Sequence, residues 1–261
     1  MCILFFAIKQ HPKYPMIICA NRDEFHQRAT EAMHWWAKKP ENDKNATLAG
    51  KDLQAGGTWL GLNKQGRFSA LTNFRQPQLF DKTKSSRGNL VLQALAKTDN
   101  EISAQLQRSS HQYNGFNLVF GELDNLLCFN SVSQKQHPLT AGVHSLCNGA
   151  LDDIWPKMAQ GQTQLLNAIN DHELNIEKLF ELMACKAKAP VSSLPKTGVP
   201  LDFEQLLSSI FIVSPEYGTR TTNLIIQDNA GNITVYDRSY NQQGTCTNNQ
   251  LFNIKALKTA H

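Results

Sequence analysis

Met1-Cys2-Ile3-Leu4-Phe5-Phe6-Ala7-Ile8 and Met16-Ile17-Ile18-Cys19-Ala20-Asn21-Arg22-Asp23-Glu24 decide the reading of this chain. Each begins as a short continuous apolar run. The connection between them, Lys9-Gln10-His11-Pro12-Lys13-Tyr14-Pro15, is polar and proline-containing, which suits a hairpin loop better than a helix. An antiparallel pair built this way brings Cys2 and the Asn21–Glu24 cluster to the same end. Such a cluster is often a solvated turn with a local ion pair. Beside a thiol, it also supplies a cation and carboxylates that tune it.

Cys2 has two readings. A side chain this small allows an aminopeptidase to remove Met1, leaving a thiol and a free α-amino group on one residue. The amine titrates at roughly 7.7–8.0 and the thiol at roughly 8.5, so proton transfer between them is nearly balanced at neutral pH. Cysteine is equally a small buried hydrophobe at the head of an apolar run, and position alone favours that role.

Further motifs follow in order: Asn21-Arg22-Asp23-Glu24-Phe25, Gly56-Gly57-Thr58-Trp59-Leu60-Gly61, Ala70-Leu71-Thr72-Asn73-Phe74-Arg75, Ser86-Arg87-Gly88 and Leu151-Asp152-Asp153-Ile154-Trp155-Pro156-Lys157. With the opening Met-Cys, they make the chain resemble the NRDE family, whose eukaryotic members form the transport and Golgi organisation protein 2 group. That family is similar in turn to the N-terminal-nucleophile hydrolases, in particular the bile-salt hydrolase and penicillin V acylase branch with an N-terminal cysteine. The resemblance implies an α+β fold, a four-layer αββα sandwich of two antiparallel sheets flanked by helices, as one domain over residues 1–261. It also implies a catalytic set. Cys2 attacks a carbonyl while its α-amine shuttles the proton, and Asp23 holds that amine. Asn148, with Asn73, donates to the developing oxyanion, and Arg220 favours the thiolate. Arg22, Trp59, Phe74 and Arg75 are the implied substrate-binding residues. One departure stands out. The acylases carry Arg three positions before the Asp, whereas this chain has Ala20 there and Arg22 next to Asp23. Neighbouring strand residues point to opposite faces, so Arg22 is not expected to reach the site by the same route.

Composition bounds the alternatives. The 261 residues suffice for one large core, and no Pro/Gly/Ser linker divides them. The net charge of +4 is spread among mixed charges, with no basic stripe, zinc signature or helix-turn-helix to suggest a nucleic-acid partner. Six cysteines without a close Cys-x-x-Cys pair suit reduced thiols in a cytoplasmic protein. No metal site is implied, since His26, His34 and His144 lack partners at ligand spacing. The first apolar run is far shorter than the roughly 20 residues that span a bilayer, and it lacks the flanks of a signal peptide.

Strand signals fall at 2–8, 16–21, 58–62, 67–73, 115–121, 126–131, 142–147, 209–214, 221–227 and 232–237. Asn63–Gly66 and Asp228–Gly231 read as hairpin turns. Helical periodicity marks Leu90, Leu92 and Leu95, then Ile176, Leu179, Phe180 and Met183. Thr98-x-x-Glu101 reads as a capping box, and Pro156 as a first helical turn leading to Leu165, Leu166 and Ile169. Residues 186–200 read as a surface loop beside the mouth of the site.

Two function classes emerge. One is an amidohydrolase cleaving a non-peptide C–N bond in a small acylated substrate, with no cofactor. The other is a non-catalytic carrier using the same cleft for a lipid, acyl-CoA or haem, with Cys2, His26 or His34 as axial candidates for haem. In either, Trp35-Trp36, Trp59 and Phe74 are candidates to line an apolar pocket. The oligomeric state is not encoded in any pattern found.

Overall fold

The structure, a computed structural model, describes residues 2–36, 43 and 46–256. One sheet has the spatial order β10 (Gly142–Leu146), β1 (Cys2–Ile8), β2 (Met16–Phe25), β11 (Tyr217–Gln227), β12 (Ile233–Tyr240), β13 (Cys246–Ile254). The second runs in chain order: β3 (Thr30–Trp35), β4 (Thr47–Asp52), β5 (Leu60–Asn63), β6 (Arg67–Asn73), β7 (Phe116–Glu122), β8 (Asn125–Asn130), β9 (Lys135–Pro138). Every pairing within the two sheets is antiparallel.

The continuous apolar runs of β1 and β2 follow from their position. Both are central strands covered on both faces, so each side chain meets a core whichever way it points. Cys2, Leu4, Phe6 and Ile8, with Met16, Ile18 and Ala20, face the second sheet. Ile3, Phe5 and Ala7, with Ile17 and Cys19, face the helices α3 (Pro156–Ile169) and α4 (Ile176–Met183). On the far side, α1 (Gly88–Ala96) and α2 (Asp99–Ser109) bury Leu90, Val91, Leu95, Ile102 and Leu106 on the second sheet. The result is the α+β sandwich of two antiparallel sheets between helices that the sequence implies. Among the described residues, no helix is long and apolar enough to cross a membrane.

Local chemistry explains the boundaries. Thr98 caps α2 through a capping box with Glu101, as read from the sequence, and Pro156 opens α3. Leu166, expected in the core, is instead exposed, while Leu165 and Ile169 are buried. Four strands escaped the reading: β3, β4, β9 and β13 are short or polar, and β3, β9 and β13 lie at sheet edges. The strand expected over 209–214 is a correction. Ile210, Phe211 and Ile212 are buried, but their backbone is bonded piecemeal: Ile210 O accepts from Asn21, Phe211 O from Ser209, and the Ile212 N–H donates to Thr219 Oγ1. No ladder is available to them. A short helix, α5 (Leu201–Leu206), follows the loop 186–200.

The α3 layer sits directly on β1 at Gly161, where a Cβ would lie 2.0 Å from the Phe5 ring. Gly161→Ala is therefore expected to destabilise the fold by about 1–3 kcal/mol in chemical denaturation, with part of the loss restored by Phe5→Leu.

Candidate active site

A cleft of about 370 Å³ opens at the start of β1. Cys2, Arg22, Asp23 and Glu24 line it from the first sheet, and Trp59, Leu71, Asn73 and Arg87 from the second layer. Met1, whose removal the N-terminal-nucleophile reading requires, lies outside the described residues.

The Asn21–Glu24 segment distributes its side chains by strand alternation. Asn21 points to the helix side, donating through Nδ2 to the carbonyls of Met183 and Ile210 at 2.8 and 2.9 Å and accepting from Thr222 Oγ1 at 2.6 Å. Arg22 stands directly opposite Cys2 in the β1–β2 register. Its guanidinium lies 4.3 Å from the Trp59 ring centroid and donates to Thr30 Oγ1 at 3.1 Å, with Glu24 and Asp52 oxygens 3.9 and 4.0 Å away. The cation beside the thiol is thus the residue across the strand pair, which answers the departure at Ala20. Asp23 is buried, and Oδ1 accepts from Thr219 Oγ1 at 2.7 Å while its backbone carbonyl accepts from the Tyr217 hydroxyl at 3.0 Å. Burial raises the Asp23 carboxyl above its ordinary range, opposed chiefly by the buried Lys157 ammonium, which itself donates to Leu207 O at 2.8 Å.

The thiol is not activated by these charges alone. Burial pushes Cys2 up to about 11; the chain's α-amino group and, less strongly, Arg22 oppose the rise without prevailing, while Asp23 and Glu24 add to it. Arg220 plays no part in that balance. Its guanidinium donates to the carbonyls of Phe25, His26 and Arg28, bracing the chain after β2, and it does not line the cleft. Arg87 does line it, its pKa lowered to about 10 by burial and by Arg28, with the Cys2 and Glu24 charges acting the other way.

The two asparagines part company. Asn73 lines the cleft; Asn148 is buried behind it, donating through Nδ2 to Asn73 O at 2.8 Å and accepting from Arg75 at 3.2 Å. Arg75 is turned away from Cys2 into an ion pair with Glu204, 4.9 Å from the Trp155 ring centroid, and Phe74 packs toward Gly115. Neither lines the cleft, nor do Trp35 and Trp36: Trp35 packs on the inter-sheet core, and the Trp36 indole donates to Ala49 O. The loop 186–200 adjoins Arg75 and Glu204 through Pro195 and Thr197 instead of the Cys2 cleft.

Sequence reasoning gave no role to Arg87, Thr219, Tyr217 or Lys157, although Arg87 and Lys157 sit in stretches it quoted. Their neighbours in sequence are largely polar, so nothing local marks them, and only burial or a place on the cleft does. Two glycines bring Arg87 and Trp59 to the cleft. A Cβ on Gly57 would lie 2.6 Å from Gly88 C, so the Gly57–Trp59 loop and the start of α1 touch backbone to backbone, with the Thr58 N–H donating to Gly88 O at 3.3 Å. Of the three axial candidates for haem, Cys2 alone lines the cleft. His26 and His34 face the carbonyls of Ser214 and Ala32, outside the cleft that holds Cys2.

The sequence matches the family model described as Transport and Golgi organisation 2 over residues 1–242. A human Transport and Golgi organization protein 2 homolog is 32% identical over 264 aligned residues, covering 92% of this chain and 93% of that one. The Drosophila melanogaster protein Transport and Golgi organization protein 2 is 26% identical, covering 87% and 88%. Among solved structures, a mutant conjugated bile acid hydrolase from Clostridium perfringens has a TM-score of 0.50 at 13% identity, covering 98% of this chain and 92% of that one. At that identity the likeness is one of fold, the N-terminal-nucleophile hydrolase type.

Two outcomes are expected from this geometry. Asn21→Leu leaves two buried carbonyls and the Thr222 hydroxyl without their partner and should cost about 2–4 kcal/mol in equilibrium unfolding. With Met1 retained, Cys2 is ionised to only about one part in a thousand at pH 8, so iodoacetamide mapping should label the exposed Cys246 well before Cys2.

Proposed function

Since this chain belongs to the Transport and Golgi organisation 2 family and carries Cys2, Asp23 and Asn73 on one cleft, we propose that it is an N-terminal-cysteine amidohydrolase acting on a small acylated substrate. The observation that carries this reading is the register that sets Cys2 across from Arg22, with buried Asp23 adjacent. Removal of Met1 would give Cys2 its own α-amine. That amine takes the thiol proton, supplying the base that burial otherwise denies the sulfur. Asp23, fixed by Thr219, would hold the resulting ammonium.

The thiolate attacks the amide carbonyl, forming a C–S bond, and the C–N bond breaks as the α-ammonium protonates the leaving amine. Water then attacks the thioester, releasing the acid and restoring the thiol. Asn73 is the donor proposed for the oxyanion, an interaction worth about 2.7–4 kcal/mol in well-studied enzymes. Asn148 acts through it: its bond to the Asn73 carbonyl fixes where that strand ends. The Arg22–Trp59 stack forms one wall of the acyl site. The six unpaired cysteines support a reducing, cytoplasmic setting.

The carrier reading draws on the same cleft and differs in one respect, its indifference to the thiol. Intact-mass analysis of untagged protein is expected to show Met1 absent and Cys2 unmodified. A panel of N-acyl amino acids, acylated lactones, bile-salt-like amides and penicillin V should then give turnover that vanishes in Cys2→Ala and in a variant that retains Met1. Absence of turnover across the panel, with acyl-CoA or another lipid-like ligand bound equally by Cys2→Ala, would replace the hydrolase with the carrier.

A further inference from the structure

We propose that the protein docks on anionic lipid bilayers through the lip of its cleft, residues 77–86, together with the adjoining 186–200 loop. The lip is exposed along its whole length. At its tip, a single helical turn, Pro77–Leu79, throws two consecutive large apolar side chains into solvent, with Leu79 65% and Phe80 58% exposed. Two such residues in sequence, uncovered at a turn, are the reverse of a core signal, and an apolar surface of this kind marks an interaction site. The second segment touches the first at its tip, where a Cβ on Gly198 would lie 3.0 Å from Gln78 Oε1 and 3.6 Å from Pro77 Cγ. It adds Val191, 49% exposed.

Charge selects the partner. The lip and the short stretch to Arg87 hold Lys82, Lys84 and Arg87 against Asp81 alone, and the loop holds Lys186, Lys188 and Lys196 with no acidic residue. Six cations against one acid exceed the +4 of the entire chain, so the remainder is close to neutral and the excess is concentrated here. Asp81 is turned back on its own loop, its carboxylate accepting from the backbone and hydroxyl of Thr83. Exposed lysines on the two segments that carry the apolar tip suit fluid, negatively charged headgroups with acyl chains beneath. A helical partner would need an apolar groove, whereas Leu79 and Phe80 stand out in solvent. Because Phe80 also lines the cleft, docking would set the mouth of the Cys2 site against the bilayer surface. The inference goes beyond the proposed reaction and is tested without it.

The full chain would be sedimented with phosphatidylcholine vesicles with and without phosphatidylserine, at low and high salt. Co-sedimentation is expected only with phosphatidylserine, weakened by salt. Leu79→Ser/Phe80→Ser and Lys82→Glu/Lys84→Glu should each reduce it about tenfold or more with unchanged melting temperatures, while Lys9→Glu, at the opposite end of β1, should leave it intact. Phe80→Trp should show a blue-shifted emission component on adding the anionic vesicles. No sedimentation of the unaltered chain with anionic vesicles at low salt would overturn the proposal, as would sedimentation indifferent to both double substitutions. Concentration-dependent self-association abolished by Leu79→Ser/Phe80→Ser, without vesicle binding, would reassign the tip to a second copy of the chain.

Discussion

The structure depends on the registration of β1 against β2. These two strands are the centre of the first sheet, and their pairing from Cys2 opposite Arg22 to Ile8 opposite Met16 sets which residues see the second sheet and which see the helices. A slip of one residue would move Phe5 and Phe6 to each other's faces and drive Arg22 into the helix-side core. Burial on both faces makes any such slip costly. Asn21 adds a polar lock, since its amide fits only where the carbonyls of Met183 and Ile210 and the Thr222 hydroxyl converge.

That constraint also separates chemistry from support within four consecutive residues. Asn21 and Asp23 fall on one side of the strand and Arg22 on the other, so the cation shares the thiol's face while the carboxylate is fixed by β11. A second tier stands behind the cleft. Asn148 joins the Asn73 carbonyl to Arg75, and Arg75 joins Glu204 on α5, so the end of β6 is held by a chain of polar contacts that meets the cleft only at Asn73. The charges at the thiol do not outweigh its desolvation. Arg22 and Arg87 line the same cleft as a sulfur that burial keeps protonated, and in the proposed reaction the base it lacks is the α-amine that removal of Met1 would give it.

Much of this was legible in the residues. The apolar runs of β1 and β2, the turns at Asn63–Gly66 and Asp228–Gly231, the Thr98–Glu101 box and Pro156 each carry a local physical signature, and the structure keeps all of them. What stayed hidden depends on distant partners. β13 carries no strand signal because its side chains at a sheet edge are largely exposed and polar, and 209–214 reads as a strand because burial of Ile210–Ile212 needs no ladder. The same limit applies to the cleft. Cys2, Asp23, Asn73, Arg22 and Trp59 meet there, whereas Asn148, Arg220, Phe74 and Arg75 carry suitable chemistry but point at other neighbours. A residue type and its local context do not disclose which way an arginine turns.

The order of strands also sets a timetable for synthesis. β1 and β2 leave the ribosome first, yet their flanking neighbours, β10 and β11, are encoded far downstream, while the seven strands of the other sheet are contiguous between them. The second sheet, with α1 and α2, can therefore close from local contacts, whereas the first hairpin waits for β10 to cover the β1 edge and, until the C-terminal third emerges, for β11 to cover the β2 edge. Cys2 and Asp23 belong to the late-closing layer, and Trp59, Asn73 and Arg87 to the early one. The cleft is thus completed late, and a ribosome stalled before β11 leaves a nascent chain with one sheet complete and Asp23 without its Thr219 partner.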